Sequence, residues 1–251
     1  MIGPFVGGVL SDPANGIGGI FEASFSGSYP NLLPSIFSSA MSSIAFILAF
    51  YKLPESLPEE SRSSSEASPL VQLQATVSSI SSVLKLPTIS SLVVVNFLFL
   101  LGFTMMHGTF ILFTSMEPES GGLGWSERDN GWVFAFIGLL GVIIQGGLIG
   151  PLTRRYNLRG LMIVGTALAG LGVASIPYAP AEFSWLIFGS CAGLAIGNGL
   201  YSPTQSSLLT FETKGGGFEL GMVMGAQEGS GALARIIGPL LAASILSLIH
   251  I

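Results

Sequence analysis

Few residues in this chain carry charge. Asp, Glu, Lys and Arg make up 9% of its 251 residues, where soluble domains run near 25%. That shortage excludes an ordinary water-facing surface. A single cysteine, Cys191, rules out an internal disulfide. The two histidines lie far apart and no Cys/His group has metal spacing, so no metal ligand is expected. No paired carboxylates and no nucleophile–base spacing mark an active site. The chain therefore reads as a non-enzyme with no catalytic residue and no cofactor. With a net charge of −5 and no basic patch interleaved with aromatics, it offers nucleic acid no surface. The first ten residues are apolar but lack a basic n-region and a cleavage site, so they do not form a signal peptide. They look like the tail of a helix begun before Met1.

What remains is hydrophobic. Apolar residues make up 49% of the chain and mean hydropathy is +0.70. The intervals Glu22 to Lys52, Lys85 to Glu117, Asp129 to Arg154, Arg159 to Glu182 and Glu182 to Glu212 each enclose at least 22 uncharged residues. About 20 apolar residues span a bilayer, so each interval holds one crossing. The fold expected is an all-α polytopic membrane protein with about six full transmembrane helices and a partial one at the N-terminus. The crossings fall at 33–52, about 90–115, 131–152, 160–178, 184–211 and 220–249, with the partial helix at 1–10. Between the first two, residues 53–69 are polar and Pro-interrupted, hence disordered by composition. Leu70, Leu73, Val77, Ile80 and Leu84 then repeat at spacings of 3 and 4. That pattern predicts an amphipathic helix over 70–86, lying on the membrane surface or binding a partner. Ser126, with Asp129 three residues on, reads as a capping box.

The last stretch, Gly221 to Ile251, holds Glu228 and Arg235, the only formal charges within the membrane-length segments. A charge in hydrocarbon costs roughly 3 kcal/mol on insertion scales, so a buried pair or a wet cavity is implied. Seven residues is about two turns, which sets both on one helix face. Gly221, Gly225 and Gly229 suggest a close-packing ridge, as do Gly189, Gly193 and Gly197. Polar candidates along a solute path are Asn96, His107, Gln145, Asn198 and Gln227. Asn96 and His107, eleven apart, fall nearly on one face. His107 reads either as a proton relay or as a hydrogen-bonded interhelical contact. Glu228 is the candidate for proton coupling, and a permanent Glu228–Arg235 pair is the competing reading.

Orientation follows from counting. Placing Lys52 in the cytoplasm puts Lys52, Arg62, Lys85, Arg154, Arg155, Arg159 and Lys214 on that side and only Arg128 on the other. Short loops obey the positive-inside rule, so the 53–87 loop is expected to be cytoplasmic.

Several motifs bear a family likeness. Gly3-Pro4-Phe5-Val6-Gly7-Gly8 resembles the fifth-helix antiporter motif of the major facilitator superfamily, in its drug:proton antiporter, tetracycline-efflux-like branch. Leu53-Pro54-Glu55-Ser56 resembles the motif after the sixth helix. Gly150 to Arg159 resembles the gating motif GxxxDRxGxR, with Arg154 standing at the Asp position and Asn157 at the second Gly. Asn198 to Pro203 and Leu233 to Pro239 resemble helices ten and eleven, and Ile2-Gly3-Pro4 recurs as Ile237-Gly238-Pro239.

The resemblance implies that 1–52 ends a first-half bundle, 53–87 is the central loop and 88–251 belongs to the second half. The first four helices and the last would be missing, supplied by the same longer chain or by a partner. It further implies proton-coupled export of a small organic solute or drug by alternating access. Gly3, Pro4, Gly7, Gly8, Gly150, Arg155, Arg159, Gly238 and Pro239 would serve gating and bending. The alternatives are a non-transporting truncated protein acting through a partner chain, or a nutrient uniporter or symporter. Plasma and vacuolar membranes fit equally.

Overall fold

The computed structural model describes residues 32–53, 81, 84–179, 181–183, 185–216 and 220–249. The expected helix at 1–10, the Gly3, Pro4, Gly7 and Gly8 positions and most of the amphipathic stretch at 70–86 lie outside them.

Helix α1 is Leu32–Lys52, α2 Pro87–Ser115, α3 Glu127–Ile143, α4 Ile149–Arg155, α5 Leu158–Ser175, α6 Leu186–Gly216 and α7 Leu220–Ile249. Helix α2 begins three residues before Ser90. Pro87 sits at its N-terminus, where a missing N–H costs nothing and the fixed φ suits the helix. Among the described residues, five helical runs are long and apolar enough to cross a membrane: Ser35–Lys52, Pro87–Ser115, Glu127–Arg155, Leu158–Tyr178 and Leu220–Ser247. The sixth expected crossing, α6, has 31 residues but falls short in apolarity. Its position accounts for this, because α6 packs against α2, α3, α5 and α7 and shows lipid little of its surface. Helix α1 stands at the other extreme, with no buried side chain from Ser35 to Lys52.

Glycine sets the closest approach. A Cβ on Gly197 would meet the Ala169 backbone N, with Gly165 O at 2.5 Å. On Gly172 it would meet Leu194 N at 2.5 Å. Helices α5 and α6 therefore touch backbone to backbone through Gly165, Gly172, Gly193 and Gly197, the small-residue mode of membrane packing. Gly189, at the end of the expected ridge, faces open space.

The ridge expected at Gly221, Gly225 and Gly229 meets no neighbour among the described residues, where nothing lies within 4 Å of a Cβ at any of them. Helix α7 instead meets α2 through Gly231, where a Cβ would lie 2.9 Å from Leu100 Cδ1, and through Gly238, against Thr104.

Two apolar clusters close the ends of the bundle. One gathers Phe110, Val133, Phe134, Ile187 and Cys191. The other gathers Ile89, Leu92, Val93, Leu208, Leu209 and Val223.

The α2–α3 connection is a tight loop. Gly124 N donates to Met116 O and Trp125 N to Thr114 O, both at 2.8 Å, and Gly121 and Gly124 supply the positive φ angles (85° and 66°). Ser126 opens α3, its backbone N donating to Asp129 Oδ2 at 3.0 Å and its Oγ accepting from Asp129 N at 3.3 Å. Ser126→Ala should cost about 1 kcal/mol. Hydrogen exchange should show faster opening at the first amides of α3 and unchanged protection in α6.

Between α3 and α4 the chain makes a π turn, Ile144–Leu148, with Ile149 N–H donating to Ile144 O. Pro151 follows two residues later and withholds another helix donor. Ile144, 3% exposed, fills the space that Gly199 of α6 leaves free.

Candidate functional site

A polar band lies between the two apolar clusters, where α2, α6 and α7 meet. Asn96, 6% exposed, donates from Nδ2 to Gln227 O at 3.2 Å and Ser230 Oγ at 3.3 Å. Thr104 Oγ1 reaches Ala234 O at 3.2 Å while sharing its one proton with Leu100 O (2.8 Å) and Leu101 O (3.1 Å), and Gln205 Nε2 donates to Leu92 O at 3.3 Å. Each bond ties a side chain to a neighbouring helix, worth about 0.6 kcal/mol by the average for membrane helices. Asn96→Leu removes two of them and should lower stability by about 1 kcal/mol. Thermal unfolding of the detergent-extracted protein measures it, and no change would deny Asn96 a structural role.

Two buried polar atoms in the band, Gln227 Oε1 and Tyr201 Oη, have no partner among the described residues. The Tyr201 ring stacks on Phe99 with centroids 3.7 Å apart.

Next to this band stand Glu228 and Arg235. Arg235 Nη2 lies 3.9 Å from Glu228 Oε2, the two-turn spacing bringing the charges together. Of a buried pair and a wet cavity, the first does not occur among the described residues, as the side chains are 55% (Arg235) and 71% (Glu228) exposed. At 100° per residue, Gly221, Gly225, Glu228, Ala232, Arg235 and Pro239 share an arc of about 80°. All are exposed, and apart from the pair all are small or cyclic. Large exposed residues, Leu233, Ile236 and Leu240, occupy the adjoining face. Helix α7 thus carries three strips: one packed on α2, one bulky and apolar that suits lipid, and one small and charged that does not. Pro239 lacks the N–H that would bind Arg235 O, which frees that carbonyl from the helix ladder.

The remaining candidates do not join this cluster. His107 is exposed, its ring 6.2 Å from Phe103 and 5.9 Å from Phe134, with no hydrogen bond among the described residues. Asn96 and His107 share a nominal face yet have different neighbours, because α7 packs at one level and α3 at the other. Gln145 is exposed in the π turn and Asn198 half-buried on α6.

In the gating-motif stretch, Arg154, Arg155 and Arg159 form no ion pair among the described residues. The Arg155 guanidinium lies over the Tyr156 ring at 5.9 Å. Asn157 caps α5, its Oδ1 accepting from Gly160 N at 2.8 Å, so an N-cap stands where the family pattern has glycine. Gly150 has open space around it, whereas Gly238 packs closely on Thr104.

Three clefts lie elsewhere. One of about 470 Å³, between α2 and α5, is lined by Val95, Phe99, Thr166 and Leu194. A second, of about 390 Å³, has Ser91, Arg159 and Glu212 on its walls. A third, of about 700 Å³, runs along Trp132, Leu139 and Phe188. None includes Glu228 or Arg235. The first and third are almost wholly apolar grooves of the kind lipid tails fill, so the charged strip outranks them as a site. No group of three or more His, Cys, Asp or Glu side chains suited to a metal occurs among the described residues.

Sequence reasoning missed Gly231, Thr104 and the unpartnered Tyr201 hydroxyl. Gly231 and Gly238, seven residues apart, were the available signal.

Comparison with known proteins places these features. Residues 1–239 match the Major Facilitator Superfamily. A stretch of 90 residues is 32% identical to dipeptide and tripeptide permease A of Erwinia pyrifoliae, covering 35% of this chain and 18% of the permease. The matched stretch thus spans less than a fifth of that relative's length. No solved structure matches.

Proposed function

Because the chain belongs to the major facilitator superfamily, we propose that it is part of a transporter that exports a small organic solute against an inward proton flow. Its two helical halves would rock around a midplane site to give alternating access. The observation that carries this reading is the exposed Glu228–Arg235 pair on the small strip of α7. Such charges tolerate a membrane-length helix only where they face water, solute or another polar surface. Glu228 carries the proton in this reading. Among the described residues, Arg235 is the charge facing it, on its own helix. His107, apart from the pair, has no part in the relay. Gly238 and Pro239 let α7 bend between states. The 53–87 loop and the Arg154–Arg159 turn face the cytoplasm.

The test is flux in vesicles. The native protein, reconstituted with a pH dye inside, is challenged with a panel of small solutes. Solute-dependent proton movement that disappears in Glu228→Gln is the expected result. Flux indifferent to a pH gradient would favour a nutrient uniporter or symporter. That second reading draws support from the 32% identity to a protein named as a peptide permease. No flux, with co-purification of a longer chain, would favour a non-transporting protein acting through a partner.

A further inference from the structure

We infer that the Glu228–Arg235 strip selects a zwitterionic solute, one bearing an ammonium and a carboxylate several ångströms apart. The inference rests on the reading that this strip lines the solute path.

The argument is one of charge balance. Glu228 and Arg235 compensate each other across 3.9 Å, and no other formal charge occurs between residues 220 and 249. With Glu228 ionised, a solute with only a carboxylate would draw Arg235 away and leave Glu228 uncompensated. A solute with only an ammonium would strand Arg235. Either leaves a lone charge at membrane depth, the arrangement a low-dielectric surrounding penalises most. A zwitterion exchanges one pair for two, with ammonium on Glu228 and carboxylate on Arg235, and strands nothing.

The geometry has room for this. Seven residues at 1.5 Å rise set the two Cα atoms about 10.5 Å apart along the axis, so the side chains lean towards each other to meet. Turned apart, they can hold a solute lengthwise whose charges are separated by about 7 Å, the span of two extended residues. On their strip Gly221, Gly225 and Ala232 are exposed and without bulk; among the described residues a Cβ at either glycine would touch nothing within 4 Å. Asn96, bonded to Gln227 O and Ser230 Oγ, fixes the backbone that presents the carboxylate.

The test uses three probes of equal chain length: 6-aminohexanoate, hexanoate and hexylammonium. Binding is measured calorimetrically on the native protein in detergent, and transport in phosphatidylcholine vesicles. The zwitterion should bind at least about tenfold more tightly than either singly charged probe, a difference of 1.4 kcal/mol. Glu228→Gln should shift the preference to hexanoate and Arg235→Gln to hexylammonium. The double variant, in which no charge is stranded, should lose the preference while staying folded. No binding of 6-aminohexanoate, equal binding of all three by the native protein, or an unchanged preference in the single variants overturns the inference. Proton-linked flux of an uncharged solute without zwitterion preference overturns it and leaves the transport reading intact. Charge-selective binding without any flux supports it as a binding site and overturns transport.

Discussion

Gly197→Leu is expected to abolish the folded protein, with monodisperse material lost after detergent extraction. A Cβ at this position meets the Ala169 backbone N, Gly165 O at 2.5 Å and Ala169 Cα at 2.7 Å. These are backbone atoms, which cannot rotate away, so α5 and α6 must separate. Separation opens the largest helix–helix contact of the bundle and pulls Leu194 and Ala195 from their neighbours. Even Gly197→Ala should cost about 1–3 kcal/mol in overpacking, against about 1 kcal/mol gained in helix propensity. Gly189→Ala is the control. Nothing lies within 4 Å of its Cβ, so the propensity gain stands alone and thermal stability should rise slightly. Equal melting temperatures for Gly197→Leu and Gly189→Leu would show that α5 and α6 do not meet through this surface.

The second large effect concerns the charged strip, where folding and transport should part company. Glu228→Gln leaves Arg235 without its partner, at a cost of up to roughly 3 kcal/mol in lipid and less where water reaches it. Glu228→Gln/Arg235→Gln removes both charges and should unfold near the native temperature. Transport should instead fall at least about tenfold in the single and double variants alike, equivalent to 1.36 kcal/mol at the barrier. If the double variant restores flux, the pair serves folding and lies off the solute path.

Much of the architecture was legible because charge avoids hydrocarbon: the uncharged intervals mark the helices. Helix α6 was legible by length but not by apolarity, because a helix enclosed by others answers to its neighbours and can keep Asn198, Thr204 and Gln205. The Glu228–Arg235 contact followed from a spacing of seven. The small-residue ridge expected on α7 meets no described helix, for a physical reason. Four-residue spacing identifies a smooth strip without saying whether a neighbour or open space lies over it. Helix α7 has two such strips, one through Gly231 and Gly238 against α2, the other through Gly221 and Gly225 beside the charges. The same ambiguity separated Asn96 from His107, whose shared face meets different helices at different heights. The unpartnered Tyr201 and Gln227 atoms had no sequence signal, since nothing local tells a buried polar atom that its partner is absent.

The π turn at Ile144–Leu148 bears on how this chain can change length over generations. Such a turn holds one residue more than the α-helix around it needs. Losing a residue there would convert it to ordinary helix while Glu127–Ile143 and Ile149–Arg155 kept their facings. A residue lost elsewhere in that run would swing everything beyond it by about 100°. Insertions and deletions among relatives should therefore collect at Gln145, Gly146 and Gly147, with Ile144 kept as the anchor under Gly199.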